Sequence, residues 1–228
     1  SVIHSLVNAI GPQRDDRILE IGPGLGAMTL PLLARVNQLE VIEIDRDLIA
    51  RWHARNLEQL TIHECDALRF DFRADVTVDT DARPRRLVGN LPYNISTPLI
   101  FKLLENAAII EDMHFMLQLE VVERLAAQPG NKTWGRLGIM TQYQCEVEHL
   151  FDVPPEAFNP PPKVQSAIVR LTPRQQLPWQ PCDENQLRQV VQAAFAQRRK
   201  TLRNTLKGLL ADEGFSALNI DSQQRAEN

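Results

Sequence analysis

The feature that most constrains the fold is the alternation of short apolar runs with helix-like segments along residues 17–140. Residues 17–21 read RILEI, residues 39–44 read LEVIEI, and each run leads into polar sequence. Between them, the stretch GPGLGAMTLPLLARV has helical spacing after its glycines. Because strands that alternate with helices form right-handed βαβ units, the pattern predicts a doubly wound α/β sheet that is mostly parallel.

Further short apolar runs extend this alternation. We expect strands at residues 61–63, 86–88, 115–117 and 138–140, and helices at residues 47–60 and 98–106. Two later runs, CEVEHLF at 145–151 and VQSAIVRL at 164–171, are separated only by the proline-rich loop 153–162, which is too rigid to be helical. Two strands without a helix between them predict an antiparallel pair at one edge of the sheet.

The polar, proline-containing segment 172–181 predicts a domain boundary. We expect a first domain at residues 1–174 and a small helical domain at residues 182–228. The helical expectation depends on apolar side chains at helical spacing: Leu187, Val190, Val191, Ala194 and Phe195, continued as a stripe by Leu202, Leu206, Leu209 and Leu210.

Composition excludes several classes of protein. Three cysteines without a C-x-x-C pair indicate a reducing compartment, and the five histidines show no metal-ligand spacing. No apolar stretch is long enough to span a membrane. A net charge of −4 argues weakly against a nucleic-acid partner, although residues 198–207, RRKTLRNTLK, are strongly basic.

A glycine-rich turn follows the first strand candidate. Gly22 and Gly24 allow a ligand to approach the backbone closely, with a helix N-terminus behind them. Glu43, at the end of the next strand candidate, is where a carboxylate would bind a ribose hydroxyl pair, and Asp66 could accept a bond from an adenine amine. These residues indicate a nucleotide-like ligand. NAD is a competitor, but its pattern requires a third glycine where this chain has Ala27.

Residues 90–93, NLPY, end a strand candidate with poor strand formers. The Asn90 side chain and the Leu91 carbonyl can both accept hydrogen bonds from one exocyclic amine, while Tyr93 offers a flat face to a base. An adenine amine is a poor nucleophile because its lone pair is delocalised into the ring. Two acceptors would localise that lone pair, so the motif predicts an active site for methyl transfer to adenine, with an ordinary turn as the alternative.

Five stretches carry a resemblance to a known family: EIGPGLGAMT, VIEID, ECDAL, NLPYNISTPLIF and FNPPPKVQSAIVRL. In order and spacing they resemble the ribosomal RNA adenine dimethyltransferase family over nearly the whole chain. The resemblance implies a Rossmann-like methyltransferase sheet, S-adenosylmethionine as cofactor, and dimethylation of two adjacent adenosines near the 3′ end of 16S rRNA in the small ribosomal subunit. It also implies a cytoplasmic, monomeric enzyme without a metal or a membrane partner.

The family's motifs imply specific residues here. The cofactor would be held by Gly22, Gly24, Glu43, Asp66 and Asn90, and Phe158 would face Tyr93 so that the two rings sandwich the flipped adenine. The family's Q-N-F-L segment is absent, and the chain stops short of the family's final helices. We therefore expect the sequence to be cut at both ends. Gln165 stands where the family usually has an acid, so that acid's role is not carried over.

The basic run has two interpretations. Arg199, Arg203 and Lys207 are four residues apart and would share one helix face beside the apolar stripe. A solvated face is the usual explanation of such spacing. With an RNA substrate implied by the resemblance, we expect these side chains to contact phosphates.

Two other function classes compete with a methyltransferase. An NAD-dependent oxidoreductase requires a catalytic His or a Tyr-Lys arrangement, which we do not find in the sequence. A non-catalytic RNA-binding factor for ribosome assembly or transcription would have no use for Asn90, Tyr93, Glu43 and Asp66 together.

Overall fold

The computed structural model describes residues 2–74, 83–158 and 161–228. Within these residues, seven strands lie in one sheet: β1 (Arg17–Ile21), β2 (Leu39–Glu43), β3 (Leu60–Glu64), β4 (Arg85–Asn90), β5 (Ile110–Gln118), β6 (Cys145–Val153) and β7 (Ser166–Pro173). Their order across the sheet is β3-β2-β1-β4-β5-β7-β6.

The sheet is mostly parallel. β1 pairs in parallel with β2 and β4, β2 with β3, and β4 with β5. β7 is antiparallel to both β5 and β6, which lie together at one edge. This arrangement confirms the predicted doubly wound sheet with an antiparallel edge, and it brings the carboxyl ends of β1, β2 and β4 to the same side of the sheet.

Helices cover both faces of the sheet. They are α1 (Val2–Ile10), α2 (Thr29–Leu33), α3 (Arg46–Ala54), α4 (Tyr93–Leu104), α5 (Leu119–Ala126), α6 (Arg136–Gln144), α7 (Glu184–Phe195), α8 (Leu202–Thr205) and α9 (Asp212–Ala217). One apolar cluster joins the sheet to α4, α5 and α6, and a second joins it to α1 and α2. The inner strands such as β1, β2 and β4 are therefore buried on both faces, whereas the edge strands β3 and β6 are partly exposed.

Two predicted helices have different bounds in the structure. The helix expected at 47–60 ends at Ala54, because the chain turns through Asn56 and enters β3 at Leu60. The helix expected at 98–106 begins earlier, at Tyr93, and contains Pro98. The packing of its buried face outweighs the local cost of an internal proline.

Two short 3-10 helices complete the described elements, at Ala107–Ile109 and Pro155–Ala157. The second lies inside the proline-rich loop 153–162, which was expected to contain no helix, so that expectation is wrong for these three residues. Pro155 is the first residue of the turn, a position where the missing N–H costs nothing. Residues 159 and 160 of this loop lie outside the described residues.

The strand expected at residues 138–140 is wrong, because these residues lie inside α6. A short apolar run is compatible with a strand or a buried helix, and the period alone does not separate them. α6 packs so closely on α5 that a Cβ added to Gly138 would lie 2.5 Å from the carbonyl oxygen of Arg124. Tertiary packing decides the structure of this segment.

This contact makes Gly138 a test of the helix pair. Gly138→Ala should lower the free energy of unfolding by about 1–3 kcal/mol, because the added methyl group meets a backbone oxygen that cannot move aside. Alanine's higher helix propensity, worth about 1 kcal/mol, works in the opposite direction. Urea denaturation measures the net effect. Gln192→Ala, at an exposed position of α7, is the matched control, and equal stability of Gly138→Ala and wild type would contradict the close packing.

The expected helical stripe through Leu202, Leu206, Leu209 and Leu210 is only partly correct, because Leu202 lies in a helix and the other three lie in bends or turns. α7 ends at Phe195, and only Leu202–Thr205 forms a short helix before Gly208, which has a φ of +93°. The backbone N–H groups of Leu202 and Arg203 donate to Gln224 O and Ser222 O, at 2.8 and 2.9 Å. Because these donors bond to the C-terminal segment, they do not extend a helix that continues from α7.

The division into domains at 174 and 182 stays a prediction. Ala194, Leu206 and Phe215 form a small apolar cluster of their own in the C-terminal part. Val191, on the same helix α7, is instead part of the cluster that packs on the sheet. The helical segment thus has both a local core and a contact with the first domain.

Candidate active site

The glycine loop after β1 is held open by hydrogen bonds at both of its sides. The Gly22 N–H donates to Ile42 O at 2.9 Å, and the Trp52 indole Nε1 donates to Gly24 O at 3.0 Å. Gly22 and Gly24 have φ values of +70° and +54°, which other residues adopt only with strain. A Cβ added to either glycine would meet no atom within 4 Å, so the loop presents bare backbone to open space.

That space is a cavity of about 350 Å³ at the carboxyl ends of β1 and β4, which we call the glycine-loop cavity. Its lining comes from α1, from the loop after β1, from the end of β4 and from the segment around residue 158. The predicted site residues among its lining are Gly22, Gly24, Asn90 and Phe158. Four predicted residues from three separate motifs are thus brought to one cavity.

Glu43 and Asp66 do not line this cavity, although both are held rigidly at the same side of the sheet. Glu43 is 7% exposed, and its Oε1 accepts hydrogen bonds from the backbone N–H groups of Ile44 and Asp45, at 2.9 and 3.0 Å. The Asp66 Oδ1 accepts from the Leu68 N–H at 2.9 Å. Each carboxylate is therefore fixed by one oxygen, and no bond to a described residue occupies Glu43 Oε2.

The NLPY motif ends β4 as the sequence predicts. Asn90 is the last strand residue and is exposed, while the Leu91 N–H donates to Met116 O at 3.1 Å. Pro92 has φ −58° and ψ 142° and precedes the first residue of α4. The proline thus directs the chain from the sheet into the helix, and this change of direction leaves the Asn90 side chain facing the cavity.

Phe158 and Tyr93 line different depressions. Phe158 lies in the glycine-loop cavity and packs partly against the core cluster of α1 and α2. Tyr93 is 65% exposed and lines a neighbouring groove of about 490 Å³, the outer groove, formed by Tyr93, Gln118, Leu119, Glu120, Glu123, Val164 and Gln165. A sandwich of one base between the two rings stays a prediction.

Glu20 is a site residue that the sequence reasoning missed. It lies on β1, lines the glycine-loop cavity and is 1% exposed, and its Oε2 has no hydrogen-bond partner among the described residues. Burial raises the pKa of the Glu20 carboxyl from its ordinary 4.5 to about 7; the nearby Thr29 hydroxyl lowers it by less, and the Glu43 charge makes the smallest contribution, upward. An acid between Leu19 and Ile21 was the available signal for its position, but the sequence does not show that the carboxyl is buried or that its pKa is raised.

The basic residues of the tail do not share a helix face, which corrects the expected arrangement. Arg203 lies in α8, whereas Arg199 and Lys207 lie in turns, and all three are exposed. The Arg203 Nη2 forms an ion pair with Asp212 Oδ2 at 2.6 Å. An exposed pair of this kind is weak, so it does not prevent Arg203 from binding another anion.

The described residues contain neither a membrane-spanning helix nor a metal-binding cluster. Within them, no helix is both long and apolar enough to cross a bilayer. In the same part of the chain, no group of three or more His, Cys, Asp or Glu side chains is arranged to hold a metal ion.

Comparisons with known proteins agree on one family. The family model of ribosomal RNA adenine dimethylase matches residues 1–228. Ribosomal RNA small subunit methyltransferase A of Laribacter hongkongensis is 56% identical over 227 residues, covering 99% of this chain and 85% of that protein. The protein of the same name from Methylobacillus flagellatus is 56% identical over 230 residues, covering 100% and 88%. The crystal structure of a dimethyladenosine transferase from Plasmodium falciparum has a TM-score of 0.75 at 28% identity, and the match covers 96% of this chain and 76% of that one.

Proposed function

The chain belongs to the ribosomal RNA adenine dimethylase family, and from this premise we propose that it uses S-adenosylmethionine to dimethylate two adjacent adenosines near the 3′ end of 16S rRNA. The observation that carries the proposal is the glycine-loop cavity, which Gly22, Gly24, Asn90 and Phe158 line together. It lies where doubly wound sheets bind their ligands, outside the carboxyl ends of the strands. The exposed backbone of Gly22 and Gly24 thus lies in the same cavity as Asn90, whose side-chain amide can orient the amine of the substrate adenine.

The residues present suit S-adenosylmethionine. The ligand is cationic, and Glu20, which is buried and lines the cavity, supplies a matching negative charge when its carboxyl is ionised. The open sides of Gly22 and Gly24 allow its methionine portion to lie against the backbone. Glu43 Oε2 is available to a ribose hydroxyl, because only Oε1 is used by the backbone. We place the adenine amine of the cofactor at Asp66.

The chemistry that this site must perform is a methyl transfer to a weak nucleophile. When bound, S-adenosylmethionine supplies an electrophilic methyl group. The Asn90 amide oxygen and the Leu91 carbonyl accept the two hydrogens of the substrate amine, which localises the nitrogen lone pair and directs it into the cavity. No general base is required before attack, because transfer of the methyl group would leave S-adenosylhomocysteine and a methylated cation, and this cation is a strong acid that loses its proton to water.

Phe158 is assigned to the substrate base by this proposal. Phe158→Ala should lower turnover on RNA by roughly 5- to 150-fold, the equivalent of about 1–3 kcal/mol for one stacking face, while the cofactor affinity stays within about twofold. Phe158→Leu keeps most of the apolar volume that packs on the core but removes the ring, so it should show the same loss with wild-type stability. Rate assays and calorimetry with the cofactor separate the two effects. Unchanged turnover in the leucine variant would remove Phe158 from the base site.

The partners follow from the substrate. We propose that the protein acts as a monomer in the cytoplasm on the small ribosomal subunit. Arg199, Arg203 and Lys207 then serve as separate phosphate contacts rather than as one helical face. All three are exposed, and residues 198–207 carry no acid, so the segment attracts RNA despite the negative net charge of the protein.

The test of the function is methyl transfer to defined particles. Small subunits that lack dimethyladenosine are incubated with the protein and labelled S-adenosylmethionine, and the rRNA is digested and analysed for methylated nucleosides. We expect label in dimethyladenosine at two adjacent positions near the 3′ end. Tight binding of the subunit without any transfer would indicate a non-catalytic assembly factor instead.

A further inference from the structure

The outer groove lies directly beside the proposed base site but has no role in the chemistry described above. Tyr93 forms one of its walls, and Val164, 45% exposed, adds apolar surface. Because Tyr93 belongs to the NLPY motif, which the proposed function assigns to the reacting base, a neighbouring nucleotide of the same RNA strand can reach this groove.

We propose that the outer groove binds the nucleobase adjacent to the adenosine being methylated, and that Gln118 and Glu123 recognise the exocyclic amine of that base. The proposal rests on the function proposed above and adds to it a second base-binding subsite.

The polar walls of the groove are preorganised. Gln118 is the last residue of β5 and pairs with Ser166 of β7, and the Leu119 N–H donates to Gln165 O at 2.9 Å. The pairing of β5 with β7 therefore fixes the position of Gln118 in the wall of the outer groove that it shares with Tyr93. A rigid wall of this kind can select a ligand without paying to order a loop.

Charge decides which part of the RNA the groove can accept. Glu120 and Glu123 are both exposed at this groove, and only Glu120 has a described partner, Arg124, at 3.6 Å. Carboxylates repel phosphates and accept hydrogen bonds from amines. In RNA the amines lie on base edges, so this groove favours a base over the sugar-phosphate backbone.

Two acceptors in the groove are free to bind such an amine. In the described part of the chain, neither the Gln118 side-chain amide nor the Glu123 carboxylate forms a hydrogen bond or an ion pair. Amide side chains bind adenine through its amine and the adjacent ring nitrogen, and carboxylates accept from base amines. A neighbouring adenine can stack near Tyr93 and present its amine to both groups.

The test compares neighbours with and without that amine. Small subunits are reconstituted with 16S rRNA in which one of the two adenosines is replaced by purine riboside, and methylation of the remaining adenosine is measured. In the wild type we expect the substitution to slow methylation by about tenfold, within the range that one base contact discriminates. In Gln118→Ala and Glu123→Ala the difference between the two substrates should fall to about twofold or less.

The controls separate this subsite from the proposed function. Glu111→Ala, at the opposite end of β5, is exposed and should keep the full discrimination. Gln118 precedes α5 but its side chain caps no helix N–H, so Gln118→Ala should fold normally. Equal rates on both substrates in the wild type, or full discrimination in both groove variants, would overturn the subsite. Absence of any adenosine methylation by the wild type would instead contradict the proposed function.

Discussion

In single-turnover assays at saturating cofactor and rRNA, Asn90→Ala is expected to transfer methyl groups about 100- to 1,000-fold more slowly than the wild type. That is the typical cost of removing one preorganised polar group from a reacting centre. Asn90 is exposed and ends β4, so its loss should not destabilise the fold. The cofactor affinity should fall by much less than the rate, because the contacts that we propose for Gly22, Gly24 and Glu43 are unchanged.

Asn94→Ala is the matched control for this result. Asn94 is also exposed and is the second residue of α4, outside the lining of both the glycine-loop cavity and the outer groove. It should leave the rate within about twofold of the wild type, since exposed positions away from a site tolerate substitution. If Asn90→Ala lost less than tenfold in rate, the lone-pair argument for NLPY would be wrong.

The second large effect concerns stability and depends on pH. The folded-state pKa of Glu20 is raised to about 7, so the folded protein binds this proton more tightly than the unfolded chain does. The carboxyl therefore costs stability, and the cost develops as the pH rises from about 4.5 to 7 and is complete above that range. Below it, the group is protonated in both states and costs nothing.

Glu20→Gln removes the charge but keeps the shape. Above pH 8 the variant should exceed the wild type in free energy of unfolding by roughly 3 kcal/mol, and at pH 4 the two should be nearly equal. Denaturant titrations at several pH values measure the difference. Glu58→Gln, at an exposed position, should show no comparable trend. A constant difference between Glu20→Gln and the wild type at all pH values would contradict the raised pKa.

The same substitution should weaken binding of S-adenosylmethionine. A stabilising change that impairs ligand binding is expected where a site keeps an unpaired buried charge for its ligand. Calorimetry above pH 7 on the folded variant tests this. Greater stability together with unchanged cofactor affinity would show that Glu20 lowers the free energy of unfolding and does not contribute to cofactor binding.

Local signals were sufficient for much of the site. Pro92 cannot continue a β-ladder, and glycines such as Gly22 reach a φ of +70° without strain, so both mark the strand ends in the sequence itself. The carboxyl ends of parallel strands meet at one side of a sheet. For that reason the meeting of Gly22 and Asn90 in one cavity was predictable before any contact was known.

The errors lie where long-range contacts outweigh local preference. Residues 138–140 have an apolar pattern that suits a strand, but the close contact of Gly138 with Arg124 places them in a helix. The spacing of Arg199, Arg203 and Lys207 suits one helix, but the backbone bonds from Leu202 to Gln224 belong to a different arrangement.

The sequence by itself determined the mostly parallel sheet and its antiparallel edge, because periodicity, glycine and proline act over a few residues, and for the same reason it predicted a site at NLPY. Only the tertiary structure decided which side chains share a cavity: it placed Phe158 with Asn90, put Tyr93 in the neighbouring groove, and buried Glu20 without a partner among the described residues. Burial and hydrogen bonding are properties of groups that are distant in the chain. A pKa raised to about 7 on β1 therefore has no counterpart in RILEI as a string of residues.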